Sequence, residues 1–305
     1  MEDQFYQKLI LTLPMLKVKC KERMEYHTSL HIGGEADYFA EPAALNELLA
    51  LVRLCKEENI PYYIIGNGSN LLVSDLGYRG LIIMLGESFA KVFIKEDNTI
   101  TAQAGILLSK LASEAAAYSL TGLEFASGIP GTLGGAVTMN AGAYDGEMKH
   151  CLIGARVLDE ESNVLCLKAE ELELSYRSSI LQKRNYILLE ADLQLRKGDE
   201  QLIKEKMREL NTKRREKQPL DQYSAGSTFK RPQGYFAGKL ISDAGLRGYQ
   251  VGGAAVSEKH CGFIINKENA TAKDFLSVVQ EVIRVVEEKY NVKLEPEVKF
   301  LGDFE

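Results

Sequence analysis

The chain has 305 residues, of which 45% are hydrophobic and 26% charged, and its formal net charge is −6. This length allows a large core and two or three domains, and the composition is ordinary for a globular protein. The negative net charge argues against general nucleic-acid binding. No apolar run reaches the roughly 20 residues that cross a bilayer. The first five residues contain no basic region, so a signal peptide is not expected.

The cysteines and histidines indicate neither a disulfide framework nor a metal site. The five cysteines are dispersed without a C-x-x-C pair, which is typical of a reduced cytoplasmic protein. His27 and His31 are four residues apart, as in a helical zinc motif, but they lack its acidic residue and its helical context. We therefore predict a cytoplasmic protein with no metal, and without a nucleic-acid, membrane or obligate protein partner.

Residue periodicity predicts the following elements in chain order. They are a short amphipathic helix within residues 1–25, a strand at 37–40, a helix opening at Glu41-Pro42, strands at 62–65, 81–84, 90–94 and 99–104, a helix at 108–118, strands at 153–159, 164–167 and 187–195, and a charged helix at 200–218. Thr271 and Asp274 form a capping-box pattern before a helix with an apolar stripe. Alternation over residues 292–300 predicts a final strand.

Two glycine-rich segments are the strongest signal in the chain. The first glycine segment, residues 66–71, follows the apolar run 62–65, and the second, residues 128–142, holds five glycines. Backbone N–H groups in such segments can line a concavity for anionic oxygens, although either segment alone is also typical of a tight surface loop. Leu71 occupies the place of the third glycine in the dinucleotide motif, and no Gly-Lys-Ser/Thr triplet occurs. Rossmann and P-loop folds are therefore disfavoured.

Both segments resemble one flavoprotein family. Ile65-Gly66-Asn67-Gly68-Ser69-Asn70-Leu71-Leu72 and Gly128-Ile129-Pro130-Gly131-Thr132-Leu133-Gly134-Gly135-Ala136 are similar to the two FAD-binding segments of the UDP-N-acetylenolpyruvoylglucosamine reductase (MurB) family, within the vanillyl-alcohol-oxidase-type flavoproteins. The resemblance runs from about Thr28 to the C-terminus. No inserted tyrosine-bearing loop is visible, so the chain resembles the shorter subclass.

The resemblance implies an α+β fold with a two-lobed PCMH-type FAD-binding domain and a smaller α+β substrate-binding domain. The first FAD lobe would be residues 1–80 joined by 291–305, the second lobe 81–205, and the substrate domain 206–290. The implied cofactor is FAD, and NADPH is the co-substrate. The cofactor residues would be Gly66, Asn67, Gly68, Ser69, Asn70, Leu71, Gly128, Ile129, Pro130, Gly131, Thr132, Gly134, Gly135, Asn140 and Gly142.

The implied reaction reduces UDP-N-acetylglucosamine-enolpyruvate, a small-molecule substrate, in peptidoglycan precursor synthesis. Hydride would pass from flavin N5 to the vinyl carbon, with Ser227 as proton donor and with Arg177 and Glu297 stabilising the enolate. The substrate-binding residues would be Tyr176, Arg214, Lys217, Lys230, Arg231, Lys239 and Asn266. Some relatives carry asparagine in place of Arg231, which leaves its role open.

Each catalytic candidate also has an ordinary structural explanation. On spacing alone, Arg177 suits a surface ion pair, Ser227 a turn and Glu297 the polar face of a strand. The basic run 213–217 suits either a solvated helix face or attraction of a diphosphate or an NADPH phosphate. Two further functions stay open: an alcohol or sugar oxidase of the same superfamily, and a nucleotide-sugar-binding regulator without catalysis.

Overall fold

A computed structural model describes residues 4–304, so the start of the predicted N-terminal helix lies outside the described residues. The strands are β1 (Val18–Arg23), β2 (Glu35–Ala40), β3 (Tyr62–Ile65), β4 (Leu71–Val73), β5 (Tyr78–Met84), β6 (Val92–Ile94), β7 (Thr99–Gln103), β8 (Leu120–Thr121), β9 (Gly142–Ala143), β10 (Gly146–Glu147), β11 (Leu152–Leu158), β12 (Val164–Lys168), β13 (Ile187–Gln194), β14 (Arg196–Lys197), β15 (Tyr223–Ser224), β16 (Gln250–Val251), β17 (Ala254–Val256), β18 (Ile264–Asn266) and β19 (Lys299–Leu301).

The helices are α1 (Gln4–Thr12), α2 (Leu45–Glu57), α3 (Leu108–Ala117), α4 (Leu133–Thr138), α5 (Ile180–Lys183), α6 (Glu200–Lys217), α7 (Ala237–Asp243) and α8 (Ala272–Tyr290). Among residues 4–304, no helix is both long and apolar enough to span a membrane. This mixture of helices with mostly antiparallel strands agrees with the predicted α+β class.

The chain forms two compact units. The first contains the described residues 4–19, 38–67 and 80–213, and the second contains 20–37, 68–79 and 214–304. The first glycine segment is thus divided between the units, with residues 66–67 in one and 68–71 in the other. The three-part division suggested by the sequence stays a prediction.

A five-stranded antiparallel sheet of order β12–β11–β13–β7–β6 forms the largest part of the first unit. Its apolar face shares one core with the buried sides of α2 and α3. Strand β3 runs parallel to β5 in this unit, with Ile64 opposite Ile83. The first glycine segment begins where β3 ends, as the sequence predicts.

The second unit is built on the four-stranded sheet β15–β18–β17–β16. Helix α8 packs on this sheet through a fully buried apolar stripe that the sequence predicts: Phe275, Val278, Val279, Val282 and Val286. The Thr271 hydroxyl accepts the Asp274 N–H at 3.0 Å, and the Asp274 carboxylate accepts the Thr271 N–H at 3.0 Å. The predicted capping box is therefore confirmed.

Two element predictions are wrong. Helix α2 begins at Leu45 rather than at Pro42, because the Glu47 side chain accepts the N–H of Ala43 (2.7 Å) and Ala44 becomes the N-cap. The final strand is confined to Lys299–Leu301, which pairs in parallel with β4. Residues 295–297 bond instead to the segment 228–230, and Phe300 is 41% exposed, against the predicted alternation.

Candidate active site

The two glycine segments meet within the first unit. A Cβ atom added at Gly66 would lie 2.1 Å from the Thr132 hydroxyl oxygen. The Asn67 side-chain amide donates to the carbonyl oxygen of Pro130 at 2.6 Å. The start of the first segment therefore packs directly against the second, and glycine at position 66 leaves room for the Thr132 side chain.

Helix α4 lies within the second glycine segment, and one of its faces leaves the backbone uncovered. Its inner side chains, Leu133, Ala136 and Val137, are buried, and the Gly134 N–H donates to Ala104 at 2.7 Å. Gly135 is exposed, and a Cβ atom added there would meet nothing within 4 Å. The fold therefore does not require glycine at position 135, and its contact with the cofactor stays a prediction.

The remainder of the first segment lies in the second unit. Gly68 has φ +57°, and an added Cβ atom would lie 1.9 Å from the His27 carbonyl oxygen, so the fold itself requires this glycine. Asn70 donates its side-chain amide to the Glu297 carbonyl at 3.1 Å and accepts the Lys299 N–H at 3.0 Å. This pairing holds Asn70 beside the predicted catalytic residue Glu297.

These features fit a diphosphate-bearing cofactor such as FAD. Neither glycine segment contains lysine or arginine. Binding would therefore rest on backbone N–H groups and on the open space at Gly135. The cofactor residues of the first unit would be Gly66, Asn67, Gly128, Ile129, Pro130, Gly131, Thr132, Gly134 and Gly135.

Two predicted cofactor residues, Asn140 and Gly142, have clear structural roles. The Asn140 amide donates to Glu147 (2.8 Å) and to the Ser175 carbonyl (3.1 Å), and its oxygen accepts the Lys149 N–H (3.0 Å). A Cβ atom added at Gly142 would lie 2.6 Å from the Gly146 carbonyl, within the β9–β10 pair. These contacts explain both residues locally, and their contact with FAD stays a prediction.

Arg177 lies at the tip of a tight turn in the first unit. Ser175 and Ser178 exchange two backbone hydrogen bonds of 3.1 Å each, which close what we call the Arg177 turn, residues 175–178. Arg177 adopts φ +54°, a left-handed conformation that is uncommon for residues other than glycine. Its guanidinium carbon lies 5.2 Å from the ring centroid of Tyr176, which is 52% exposed.

Ser227 and Glu297 lie on neighbouring backbone segments of the second unit. Phe229 and Pro296 form an antiparallel bridge, and the Glu297 N–H donates to the Thr228 carbonyl at 2.7 Å. This register sets Ser227 one residue before the position opposite Glu297. Ser227 is exposed and Glu297 half-buried, so both are accessible to a ligand.

A group of cations surrounds this paired segment. Lys230 forms an ion pair with Glu295 at 3.1 Å, and Arg231 covers the Phe236 ring at 4.0 Å. Burial lowers the pKa of Lys299, the positive charge of Lys230 lowers it further, and Glu297 opposes the shift. Lys299 therefore feels both Lys230 and Glu297, and no local sequence pattern singles it out.

The other predicted substrate residues of the second unit are more dispersed. Lys239 pairs with Asp243 one turn along α7 (2.7 Å). Arg214 and Lys217 lie in the last turn of α6, the first half-buried and the second exposed. Asn266 is buried and donates to the Leu30 and His31 carbonyls (3.0 and 3.3 Å). These hydrogen bonds give Asn266 a structural role, and its contact with substrate stays a prediction.

Comparison with known proteins agrees with both units. Residues 36–167 match the family described as FAD binding domain, and residues 218–301 match UDP-N-acetylenolpyruvoylglucosamine reductase, C-terminal domain. The UDP-N-acetylenolpyruvoylglucosamine reductase of Lachnoclostridium phytofermentans is 52% identical over 99% of both chains. That of Caldanaerobacter subterraneus subsp. tengcongensis is also 52% identical, over 99% of this chain and 100% of its own.

A solved structure supports the same relationship. The crystal structure of UDP-N-acetylenolpyruvylglucosamine reductase (MurB) from Thermus caldophilus aligns with a TM-score of 0.80 and 35% identity, over 94% of this chain and 99% of that one. The glucose dehydrogenase Phl p 4.0202 aligns with a TM-score of 0.50 at 13% identity, over 64% of this chain and 44% of that one, which shows a shared fold alone.

The two glycine segments and the fold define an FAD-dependent oxidoreductase with a PCMH-type cofactor domain. More particularly, the chain belongs to the UDP-N-acetylenolpyruvoylglucosamine reductase (MurB) family. The family reaction uses FAD as cofactor and NADPH as co-substrate in peptidoglycan precursor synthesis. The predicted family, fold class, activity and cofactors are thereby confirmed.

Proposed function

We propose that Ser227, Arg177 and Glu297 carry out the reduction of UDP-N-acetylglucosamine-enolpyruvate to UDP-N-acetylmuramate in this chain. The observation that supports the assignment best is the 2.7 Å hydrogen bond from the Glu297 N–H to the Thr228 carbonyl. It aligns the serine and the glutamate on adjacent segments. Asn70, from the first glycine segment, bonds to the same glutamate (3.1 Å).

Arg177 would hold the carboxylate of the enolpyruvyl group. A guanidinium offers two parallel donors to a carboxylate and keeps its charge at any physiological pH. When bound and already reduced by NADPH, FAD would supply the hydride equivalent that adds to the vinyl CH2 carbon. The electron pair of the double bond would then move toward the carbon that bears the carboxylate. Arg177 would stabilise the resulting enolate by its positive charge, and Glu297 would do so by ordering a water molecule that donates to it.

Ser227 would complete the reaction by protonating that carbon. The new C–H bonds consume the double bond, and the serine oxygen is left as an alkoxide that must regain a proton from solvent. Because a serine hydroxyl is a weak acid, the donor needs nearby positive charge. Lys230 follows three residues later, and Lys299, which senses Lys230 and Glu297, adds to the positive potential of this segment.

The substrate diphosphate would be held by basic side chains of the second unit. Arg214 and Lys217 at the end of α6, together with Lys230, Arg231 and Lys239, offer charge of the required sign. Tyr176 and Asn266 complete the proposed substrate residues. We also infer that the protein acts in the cytoplasm, where its nucleotide-sugar and NADPH substrates are available.

A spectroscopic assay tests this proposal. The purified protein should show flavin absorbance and should consume NADPH when the enolpyruvyl substrate is added, with UDP-N-acetylmuramate identified by mass spectrometry. Rapid re-oxidation of the flavin by oxygen, without NADPH consumption on this substrate, would instead indicate an oxidase. Tight UDP-sugar binding with no flavin reduction would indicate a regulator.

A further inference from the structure

The Arg177 turn is attached to the C-terminal end of helix α4, which carries the second glycine segment. The Asn140 amide donates to the Ser175 carbonyl at 3.1 Å, at the start of the turn. The Ser179 hydroxyl donates to the Thr138 carbonyl at 2.7 Å, at its end. The donors and acceptors of both hydrogen bonds lie in the first unit, so the attachment is made within that unit alone.

Gln182 joins helix α4 directly to the Arg177 turn. Its side-chain amide donates to the Thr138 carbonyl at 2.8 Å and to the Arg177 carbonyl at 3.2 Å. One NH2 group therefore bridges the last residue of α4 and the arginine itself. Thr138 is in turn held in its helix by a hydroxyl bond to Gly134 at 2.7 Å.

Ser179 is used in an unusual way. It occupies the N-cap of the short helix α5, where a serine hydroxyl ordinarily accepts an N–H of the first helical turn. Here the side chain makes no capping bond and donates to Thr138 instead. Ser179 is fully buried, so its hydroxyl is committed to this contact.

These bonds act on a backbone that is otherwise unfavourable. Arg177 holds φ +54°, and a non-glycine residue persists in this region only where its surroundings over-determine it. Removal of one bridging donor would allow the turn to relax. The guanidinium would then move relative to α4, and a displacement of about 1 Å at a reacting centre can reduce the rate about a hundredfold.

We propose that Gln182 and Ser179 are positioning residues that fix the Arg177 guanidinium relative to helix α4. This inference rests on the proposed role of Arg177 in holding the substrate carboxylate. It assigns Gln182 no contact with substrate or cofactor, because its amide is directed at two backbone carbonyls. Arg177, the proposed carboxylate-binding residue, is thus joined by hydrogen bonds to helix α4, the proposed cofactor-binding helix.

A double-mutant cycle tests the proposal. Gln182→Ala should lower kcat/KM for the enolpyruvyl substrate about 10- to 100-fold and should weaken binding of this substrate to the oxidised protein. Binding of UDP-N-acetylglucosamine, which lacks the carboxylate, should change less than about twofold. In an Arg177→Ala background, Gln182→Ala should add less than about twofold to either loss.

Two further variants keep the test decisive. Gln182→Glu preserves volume but removes the amide donor, so it should show the same losses, and it carries the test if Gln182→Ala is insoluble. Gln194→Ala is the matched control, because the Gln194 amide also bridges two carbonyls of the first unit, those of Asp97 (2.9 Å) and Leu195 (3.3 Å). It should leave carboxylate-dependent binding unchanged.

The outcomes separate the two claims. If Arg177→Ala changes neither rate nor substrate affinity, the proposed role of Arg177 is wrong. If Arg177→Ala has its effect but Gln182→Ala has none, or has the same effect with and without Arg177, the positioning role is overturned while the proposed function stands. Equal weakening of both UDP-sugars would likewise overturn it.

Discussion

The Glu297 N–H donates to the Thr228 carbonyl at 2.7 Å, and this bond fixes the register between the segments that carry the proposed residues Ser227 and Glu297. Thr228 is held from its other side as well, since its N–H donates to Gly262 at 2.8 Å and its hydroxyl accepts the Ile264 N–H at 3.0 Å. The backbone that carries Ser227 is therefore constrained from two directions. Such constraint suits a group that must deliver a proton to one carbon atom.

The first prediction concerns that proton. In Ser227→Ala, flavin reduction by NADPH should keep its normal rate, because it requires no proton on the substrate carbon. Oxidation of the reduced flavin by the enolpyruvyl substrate should slow by roughly 10²–10⁴-fold. Substrate affinity should change little, since a hydroxyl used in the transition state adds little to ground-state binding. Stopped-flow absorbance of the flavin separates these steps.

Ser227→Cys is the informative companion variant. A thiol can also donate a proton, so partial activity should remain. Equal slowing of both half-reactions in Ser227→Ala would mean that the serine positions the cofactor, and its role as an acid would have to be abandoned.

A second prediction concerns Gly135, where stability and cofactor affinity should change in opposite directions. In Gly135→Ala, the cofactor-free protein should be as stable or more stable, by up to about 1 kcal/mol, because alanine favours a helix and the added methyl group meets no protein atom. Flavin retention should fall, because the methyl group fills space that the cofactor needs. Absorbance ratios and thermal melts of the cofactor-free protein measure both effects.

Gly66→Ala is the contrasting variant. Its methyl group would lie 2.1 Å from the Thr132 hydroxyl oxygen, so both stability and flavin content should fall. Gly68 is unsuitable for this test, because φ +57° and the His27 carbonyl make a side chain there incompatible with the fold. Full flavin occupancy in Gly135→Ala would remove α4 from the cofactor site.

A third prediction concerns the N-terminus of α8. The Asp75 carboxylate accepts the N–H groups of Ala272 (2.7 Å) and Lys273 (3.0 Å), two donors that have no partner inside the helix. Asp75→Ala should lower the free energy of unfolding by about 1–2 kcal/mol. Hydrogen exchange should accelerate both at the start of α8 and in the loop around residue 75, which are far apart in sequence.

Asp199→Ala provides the matched control. Asp199 caps α6 in the first unit by accepting the N–H groups of Gln201 (2.8 Å) and Leu202 (3.0 Å), so its contacts are local. A comparable loss of stability is expected, with faster exchange at the start of α6 alone. If Asp75→Ala affects only α8, the carboxylate does not link the loop to the helix.

Local signals explain which parts of the fold were predictable. The capping box at Thr271 and the apolar stripe of α8 are encoded within a few residues of one another, and both are confirmed. The final strand was predicted from alternation alone. Alternation records which side chains are buried but not which backbone they pair with, and Pro296 pairs with Phe229 rather than extending β19.

The candidate site required information that spacing does not contain. The family resemblance supplied Ser227 and Glu297, which lie 70 positions apart in the chain and pair only through tertiary structure. Gln182 was missed because its acceptor at Thr138 is 44 residues away and a lone glutamine carries no local signal. A serine before α5 is a recognisable cap pattern, yet the Ser179 hydroxyl is used elsewhere.

The last prediction concerns His260, which lies beside the segment that orders Thr228. Its ring Nδ1 accepts the Gly262 N–H at 3.1 Å, and the Gly262 carbonyl accepts the Thr228 N–H. Burial lowers the pKa of His260 below its ordinary value of 6.5; a backbone hydrogen bond opposes the shift, and the charge of Arg247 adds to it. The folded protein therefore favours the neutral ring.

The sign of the pH dependence follows from proton uptake. Below about pH 6.5 the unfolded chain binds a proton at this ring that the folded protein does not, so the free energy of unfolding falls as the pH drops toward the folded-state pKa. Above pH 6.5 the contribution is fully present. For one group, the slope of the free energy of unfolding against pH cannot exceed about 1.4 kcal/mol per pH unit.

Wild type and His260→Gln should be compared by chemical unfolding from pH 8 to pH 5. Because glutamine can accept the Gly262 bond but does not titrate, the stability advantage of the wild type should be constant above pH 7 and should shrink below pH 6.5. A difference between the two proteins that is independent of pH would show that His260 titrates alike in the folded and unfolded states.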